Sequence, residues 1–190
     1  MSIFIKLKNI FSVNWTTILV GWEGLGVFSP FKWEDFPPLL TLDEVYEYCY
    51  EAIGKTDDTT EIGLIINALE FEKKTVERAF IRLLLQSLAD LHHVDKVLEL
   101  RKWRVILCAE TLEKLQNEMT DDLASLKEFW MCFGFPKDSP MEYQGVGNNI
   151  RPEDFYTYAN HKKVVSAHKT WVQNETQEIK KSDIDKSRHF

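Results

Sequence analysis

Residues 75–91, TVERAFIRLLLQSLADL, carry the clearest helical pattern in the chain. Apolar side chains recur at intervals of three and four residues over four turns, as on one face of an α-helix. The residues of this stripe are Val76, Ala79, Phe80, Leu83, Leu84, Leu88 and Leu91. Thr75 is expected to cap the helix, because its hydroxyl can accept from an amide of the first turn. We therefore predict a helix whose stripe faces a core.

Other helices are predicted on both sides of this segment. Thr41-Leu-Asp-Glu44 fits a capping box, and the helix that follows is expected to stop at Gly54. The remaining predicted helices have apolar periodicity and identifiable ends, and they cover 62–69, about 94–119, a segment from Thr120, and a segment after Arg151-Pro152. Arg101 and Lys102 interrupt the apolar stripe of 94–119, which leaves open one kinked helix or two helices.

Residues 1–40 are rich in aromatic side chains and are broken by glycine and proline. A short helix is expected from Asn14, whereas the alternation of Ile3, Ile5 and Leu7 is typical of a strand.

We predict an all-α fold: a single multi-helix domain over 1–172, packed as an irregular bundle or a short stack of helix pairs. Apolar content falls after Gln173, so residues 173–190 are expected to form a charged tail, frayed or disordered.

Composition excludes several classes of protein. The chain has 190 residues, of which 44% are hydrophobic and 28% charged, close to the averages of globular domains. Three widely spaced cysteines argue against a disulfide framework and favour a reducing compartment. Lys6 and Lys8 interrupt the apolar N-terminal stretch, and no apolar run approaches the roughly 18–20 residues that span a bilayer. We therefore expect a cytoplasmic protein without a membrane partner.

Sequence motifs of catalysis are weak. There is no Gly-x-Ser-x-Gly elbow and no Walker loop, and Gly21-Trp-Glu-Gly24 has the wrong spacing for a dinucleotide turn. The compact group of residues that could bind a metal ion is Asp90, His92, His93 and Asp95. On a helix these residues divide between two faces, so neither face supplies the three ligands of a catalytic zinc site. We expect no catalytic residue, no metal and no cofactor.

Three further pairs of polar residues have structural explanations. The acidic pairs Asp57-Asp58 and Asp121-Asp122 suit the positive ends of helix dipoles. His161 and His168 lie seven residues apart among lysines, which indicates a surface position.

Acidic residues are concentrated in one block. The formal net charge is −7, and residues 34–72 hold eleven acidic side chains against the single base Lys55. Such a block repels nucleic acid and attracts a basic protein, although two solvated helix faces would give the same pattern. The candidate partner-binding residues lie on two adjacent predicted helices and the turn between them: Glu44, Glu47, Glu51, Asp57, Asp58 and Glu61.

Several short motifs support a family resemblance. They are Asn14-Trp15, Gly21-Trp22, the helix Glu44–Ile53, Lys102-Trp103 and Phe133-Gly134-Phe135-Pro136. In this order they resemble the bacterial domain-of-unknown-function family DUF2247, over about residues 11–172. The resemblance implies a helical cytosolic protein without an established enzyme activity. It also suggests an immunity protein encoded beside a polymorphic or contact-dependent growth-inhibition toxin.

Three hypotheses follow for the function. The first is a cytosolic immunity protein whose acidic face docks a basic toxin domain, such as a nuclease, and blocks its active site. The second is a helical enzyme with a dispersed site, for which the candidate residues are Asp90, His92, His93 and Glu110. The third is a helical scaffold for a regulatory complex.

Overall fold

The computed structural model describes residues 1–24, 37–53, 63, 67, 77–91 and 94–187. Within these ranges every regular element is a helix, so the predicted all-α class is confirmed. The helices are α1 (Ile3–Ile10), α2 (Trp15–Glu23), α3 (Leu42–Ile53), α4 (Arg78–Leu91), α5 (Lys96–Lys114), α6 (Met119–Cys132), α7 (Pro152–Phe155) and α8 (Tyr158–Ser187). The chain divides into two compact units, Met1–Leu100 and Arg101–Phe190.

Helix α1 replaces the strand that the alternating residues 3–7 indicated. The Ser2 hydroxyl accepts a hydrogen bond from the Ile5 amide at 3.2 Å, which caps the first turn. Phe4 and Leu7 are buried at a spacing of three, whereas Ile5 is 45% exposed. The sequence left this segment open: the alternation of aliphatic residues suggested a strand only because it leaves out Phe4, which belongs to the helical stripe.

Helix α2 begins at Asn14, as predicted. The Asn14 side chain accepts from the Thr17 amide at 3.0 Å, and the Thr17 hydroxyl accepts from the Asn14 amide at 3.0 Å. All nine residues of α2 are buried, including Trp15 and Trp22. Gly24 ends the helix at φ +70°, where an added Cβ would lie 2.3 Å from the Pro37 carbonyl oxygen. Only glycine fits this close approach of two chain segments.

Helix α3 starts with the predicted capping box. The Thr41 hydroxyl accepts from the Glu44 amide at 3.2 Å, and the Glu44 carboxylate accepts from the Thr41 amide at 2.8 Å. Val45, Tyr46 and Cys49 are buried along one side of the helix.

Helix α4 is rotated relative to the predicted stripe. Its buried side chains are Ile81, Leu85, Leu88 and Ala89, and of the predicted inward residues that the structure describes only Leu88 is fully buried. The helix packs on α2, where the Arg78 guanidinium donates to the carbonyls of Trp22 and Glu23 at 3.0 and 3.2 Å. These bonds fix the phase of a helix that carries apolar residues around most of its circumference. The predicted cap Thr75 lies outside the described residues, and of the predicted helix 62–69 only Gly63 and Asn67 are described, both of them helical.

Helix α5 runs without interruption through Arg101 and Lys102, so of the two alternatives one helix is correct, and it ends at Lys114 rather than near 119. Leu98, Val105 and Cys108 are buried, whereas Val97 is 64% exposed. Lys102 is fully buried, and its Nζ lies 3.0 Å from Asp183 Oδ1. The three cysteines are free.

The C-terminal helices depart from the prediction in two places. The helix predicted after Arg151 divides into α7 and α8, because Tyr156 leaves the helical conformation. Helix α8 then continues through residues 173–187, where a frayed tail was expected. Ile179 is fully buried in this part, and Glu175 Oε1 lies 2.7 Å from Arg101 Nε. Composition alone does not predict this part of the helix. One buried side chain, Ile179, and the ion pair between Glu175 and Arg101 anchor an otherwise polar stretch.

Candidate functional site

The structure describes three of the six predicted partner-binding carboxylates. Glu44, Glu47 and Glu51 all lie on α3. Asp57, Asp58 and Glu61 lie outside the described residues. The candidate site is therefore built from α3.

One side of α3 is acidic and faces solvent. Because successive residues of a helix are about 100° apart, the side chains opposite the buried stripe form one continuous arc. Asp43, Glu47 and Tyr50 are exposed, and Glu44 and Glu51 are half-buried at the edge of this arc. We call these five residues the α3 acidic face.

The carboxylates of this face differ in their hydrogen bonds, ion pairs and exposure. Glu44 is held by the capping box at Thr41. Glu51 Oε1 lies 2.6 Å from Lys8 Nζ, in a partly exposed ion pair. Glu47 is exposed at the centre of the arc. It is therefore the carboxylate best placed to meet a cation of another molecule.

Aromatic side chains both seat the helix and extend its outer face. The Tyr48 hydroxyl donates to the Val13 carbonyl at 3.1 Å, and the Tyr48 ring meets Trp15 edge-on at 4.9 Å. Burial, followed by the nearby Cys49 and Glu51, raises the pKa of Tyr48 above its ordinary value, so the hydroxyl stays a donor. Tyr50, in contrast, is 54% exposed beside the carboxylates. A tyrosine in this position can serve as an interface anchor.

Charge is divided unequally between the two units. Residues 1–100 contain 16 acidic and 9 basic side chains, whereas residues 101–190 contain 14 of each. The whole net charge of −7 therefore belongs to the unit that carries α3.

Two acidic residues of the first unit are buried in its interior. Glu23 binds Arg82 at 2.7 Å and Lys96 at 2.9 Å, and it is almost fully buried. Glu99 accepts a short hydrogen bond from the buried Thr17 hydroxyl. These two carboxylates stabilise the packing of the unit, so its outward negative charge comes from other acidic residues, among them those of the α3 acidic face.

The second unit contains two buried histidines that sequence reasoning placed on the surface. His161 Nε2 lies 2.8 Å from Asp122 Oδ2, and the other Asp122 oxygen accepts from the Gln116 amide at 3.0 Å. His168 Nδ1 lies 2.7 Å from the Val164 carbonyl oxygen, and its Nε2 accepts from the Trp130 indole at 2.7 Å. The surface prediction was wrong because the lysines beside these histidines lie on other sides of the same helix. The spacing of seven residues was the available signal, since it places both histidines on one face.

The Asp122–His161 pair has the form of a carboxylate that orients an imidazole. The other ring nitrogen, His161 Nδ1, is buried and has no hydrogen-bond partner among the described residues. A dyad needs a nucleophile within hydrogen-bond reach of the imidazole, and no such contact occurs in the part of the chain described. We assign the pair to packing of the second unit.

The dispersed enzyme candidates have local explanations where the structure describes them. Asp90 accepts from the Gln86 side chain at 2.7 Å, and Glu110 pairs with Lys114 at 3.2 Å one turn away. His92 and His93 lie outside the described residues. Among the residues that are described, no three His, Cys, Asp or Glu side chains form a metal-binding group.

A cleft of about 640 Å³ lies beside α7 and α8 in the second unit. Lys137 and Lys163 line it together with Glu142 and Asp154. Because both signs of charge are present, the cleft lacks the single-sign field that would favour a charged substrate.

Comparison with known proteins identifies a family. The model of a bacterial family, described as an uncharacterized protein conserved in bacteria (DUF2247), covers residues 3–176. The resemblance drawn from the short motifs is thereby confirmed. No curated protein and no solved structure matches the chain.

Proposed function

The chain belongs to the bacterial family DUF2247, and from the surface of its first unit we propose that it is an immunity protein acting in the cytoplasm. It binds a basic toxin domain, of the nuclease type, through the α3 acidic face and covers that domain's active site. No catalytic residue, metal or cofactor takes part in this function. Within the described residues, no helix combines the length and hydropathy needed to cross a bilayer.

The observation that carries the proposal is the composition of the α3 acidic face. Asp43, Glu47 and Tyr50 are neighbouring exposed side chains on a helix whose other side is fixed in the core. Carboxylates supply attraction to a basic partner, and an exposed aromatic ring supplies contact area that slows dissociation.

A nuclease is a suitable target for a surface of this kind. An enzyme that binds phosphodiesters presents lysine and arginine side chains to the phosphates. An acidic helix can pair with the same cations, so the protein competes directly with nucleic acid. The net charge of −7 on the first unit also steers a basic domain toward it over about one Debye length.

The test is protection of cells that express a toxin domain encoded beside this gene. The wild-type protein is expected to restore growth, and Glu47→Lys/Glu51→Lys is expected to lose protection. We expect binding to weaken by about 2 kcal/mol, or roughly 30-fold, if the charge pairs are desolvated. Protection by this variant at the wild-type level would contradict the proposal.

Two control variants separate docking from other effects. Glu128→Lys/Glu142→Lys makes the same charge change at exposed positions of the second unit and is expected to protect normally. Lys8→Glu/Glu51→Lys retains an ion pair between these positions while inverting its direction. If this swap protects and the Glu47→Lys/Glu51→Lys variant does not, the loss comes from the charge of the face. Circular dichroism verifies that each variant is folded.

A further inference from the structure

Helix α4 carries two apolar stripes, of which one is buried. Ile81, Leu85 and Leu88 pack in the core of the first unit. The second stripe lies about one third of the circumference away and consists of Phe80, Leu83, Leu84 and Leu91. We call these four residues the α4 outer stripe.

Three side chains of the outer stripe are exposed, Leu84 is half-buried, and the exposed Ser87 lies between Leu84 and Leu91. Phe80 is 39% exposed, Leu83 60% and Leu91 49%. Single exposed apolar side chains are ordinary on protein surfaces, whereas several on one side of a helix are typical of an interaction site. The spacing matches the mode in which one helix lies along another.

The charges around the stripe specify the chemistry of the partner. Both arginines of α4 turn toward α2, where Arg78 binds backbone carbonyls and Arg82 binds Glu23. Glu77 and Asp90 are exposed at the two ends of the helix. They are thirteen residues apart, or about 20 Å along the helix axis. The stripe therefore lies between two outward carboxylates.

A second copy of this chain is a poor occupant of the stripe. If two α4 helices packed antiparallel, Glu77 of each copy would face Asp90 of the other. If they packed parallel, each carboxylate would face its own equivalent. Like charges meet in both arrangements, and the charge of −7 on the unit adds to the repulsion.

We propose that the α4 outer stripe docks a basic amphipathic helix of the partner protein. Apolar residues of that helix cover Phe80, Leu83 and Leu91, and lysine or arginine side chains about 20 Å apart reach Glu77 and Asp90. This inference rests on the proposed function, because it identifies the element by which the basic partner binds.

The experiment uses the full chain and a synthetic helix as the probe. The peptide has 18 residues, with leucine at intervals of three and four and lysine at the other positions. Two comparison peptides have glutamate in place of lysine, or the same composition in scrambled order. We expect the leucine–lysine helix to bind, the glutamate version not to bind, and the scrambled version to bind at least tenfold more weakly. Equal binding of all three would overturn the proposal.

Matched variants locate the binding surface. Leu83→Gln/Leu91→Gln is expected to weaken peptide binding at least tenfold. Met131→Gln/Ile184→Gln replaces side chains that are 57% and 52% exposed in the second unit and is expected to bind as wild type. Glu77→Gln/Asp90→Gln is expected to weaken binding and to reduce its dependence on salt. Unchanged binding by the Leu83→Gln/Leu91→Gln variant would overturn the proposal.

Two further readouts separate this inference from other outcomes. Sedimentation velocity tests whether a second copy covers the stripe. A wild-type dimer that dissociates in the Leu83→Gln/Leu91→Gln variant would contradict the inference. Full cell protection by the Leu83→Gln/Leu91→Gln variant would contradict the inference and leave the proposed function standing. If the peptide binds as expected but no adjacent toxin domain is neutralised, the proposed function fails while the docking surface remains.

Discussion

Several buried polar side chains in both units are held by specific partners. Glu23 has two cationic partners in the first unit, and Lys102 has Asp183 in the second. His168 is held in one tautomer, because its Nδ1 faces the Val164 carbonyl and its Nε2 accepts from Trp130. Each of these groups would be costly to leave unpaired in the interior.

Protonation of His168 gives a testable pH dependence. Burial lowers the pKa of His168 below its ordinary value of 6.5, so the unfolded chain takes up a proton at a higher pH than the native protein does. The free energy of unfolding should therefore fall as pH drops below about 6.5, by at most about 1.4 kcal/mol per pH unit for one proton. Urea unfolding between pH 5 and 8 measures this slope.

The control for His168 is a residue that accepts a hydrogen bond and does not titrate. His168→Gln keeps an acceptor for the Trp130 indole and does not titrate. All other titratable groups are the same in the wild-type protein and the variant, so they contribute equally to the two slopes of stability against pH. The variant should show a smaller fall in stability below pH 6.5. Identical slopes in both proteins would show that His168 titrates alike in the native and unfolded states.

At the scale of elements, the sequence predicts the helices better than their orientation. Capping chemistry is local, so Asn14 and the Thr41–Glu44 box identify helix starts correctly. The rotation of α4 depends on Arg78, which binds the end of α2 more than fifty residues earlier in the chain. Such long-range contacts leave no trace in the periodicity of one segment. The predicted stripe and the buried stripe of α4 therefore differ.

The continuation of α8 beyond Gln173 also depends on contacts distant in sequence. Ile179→Ala removes a fully buried side chain, and we expect a loss of about 2–4 kcal/mol in the free energy of unfolding. Ile184→Ala changes a side chain that is 52% exposed on the same helix, and its effect should stay within about 0.5 kcal/mol. Denaturant unfolding of both variants provides the measurement. Equal effects would mean that residue 179 is not part of a core.

The candidate site is partly accessible to prediction. The acidic periodicity of Glu44, Glu47 and Glu51 places them on one side of α3, and the structure agrees. Sequence reasoning missed Asp43 and Tyr50, because it followed only the carboxylates at intervals of three and four from Glu44. The pairing of Glu51 with Lys8 was also missed, since the two residues are 43 positions apart.

At the scale of the whole molecule, the first unit is strongly acidic and the second is neutral. This division concentrates the field of the protein on residues 1–100, which carry both the α3 acidic face and the α4 outer stripe. Electrostatic attraction mainly raises the rate of association, and apolar contacts mainly lower the rate of dissociation. The two surfaces are thus expected to affect different rate constants.

The most direct measurement is the kinetics of binding to the proposed partner, a basic toxin domain, at salt concentrations from 50 to 500 mM. For the wild-type protein, we expect nanomolar or tighter affinity, about −12 kcal/mol, and an association rate that falls at least tenfold across this range. Glu47→Lys/Glu51→Lys should associate slowly at every salt concentration, whereas Glu128→Lys/Glu142→Lys should resemble wild type. Absence of binding, or an association rate that neither salt nor the Glu47→Lys/Glu51→Lys variant changes, would contradict an acidic docking face on α3.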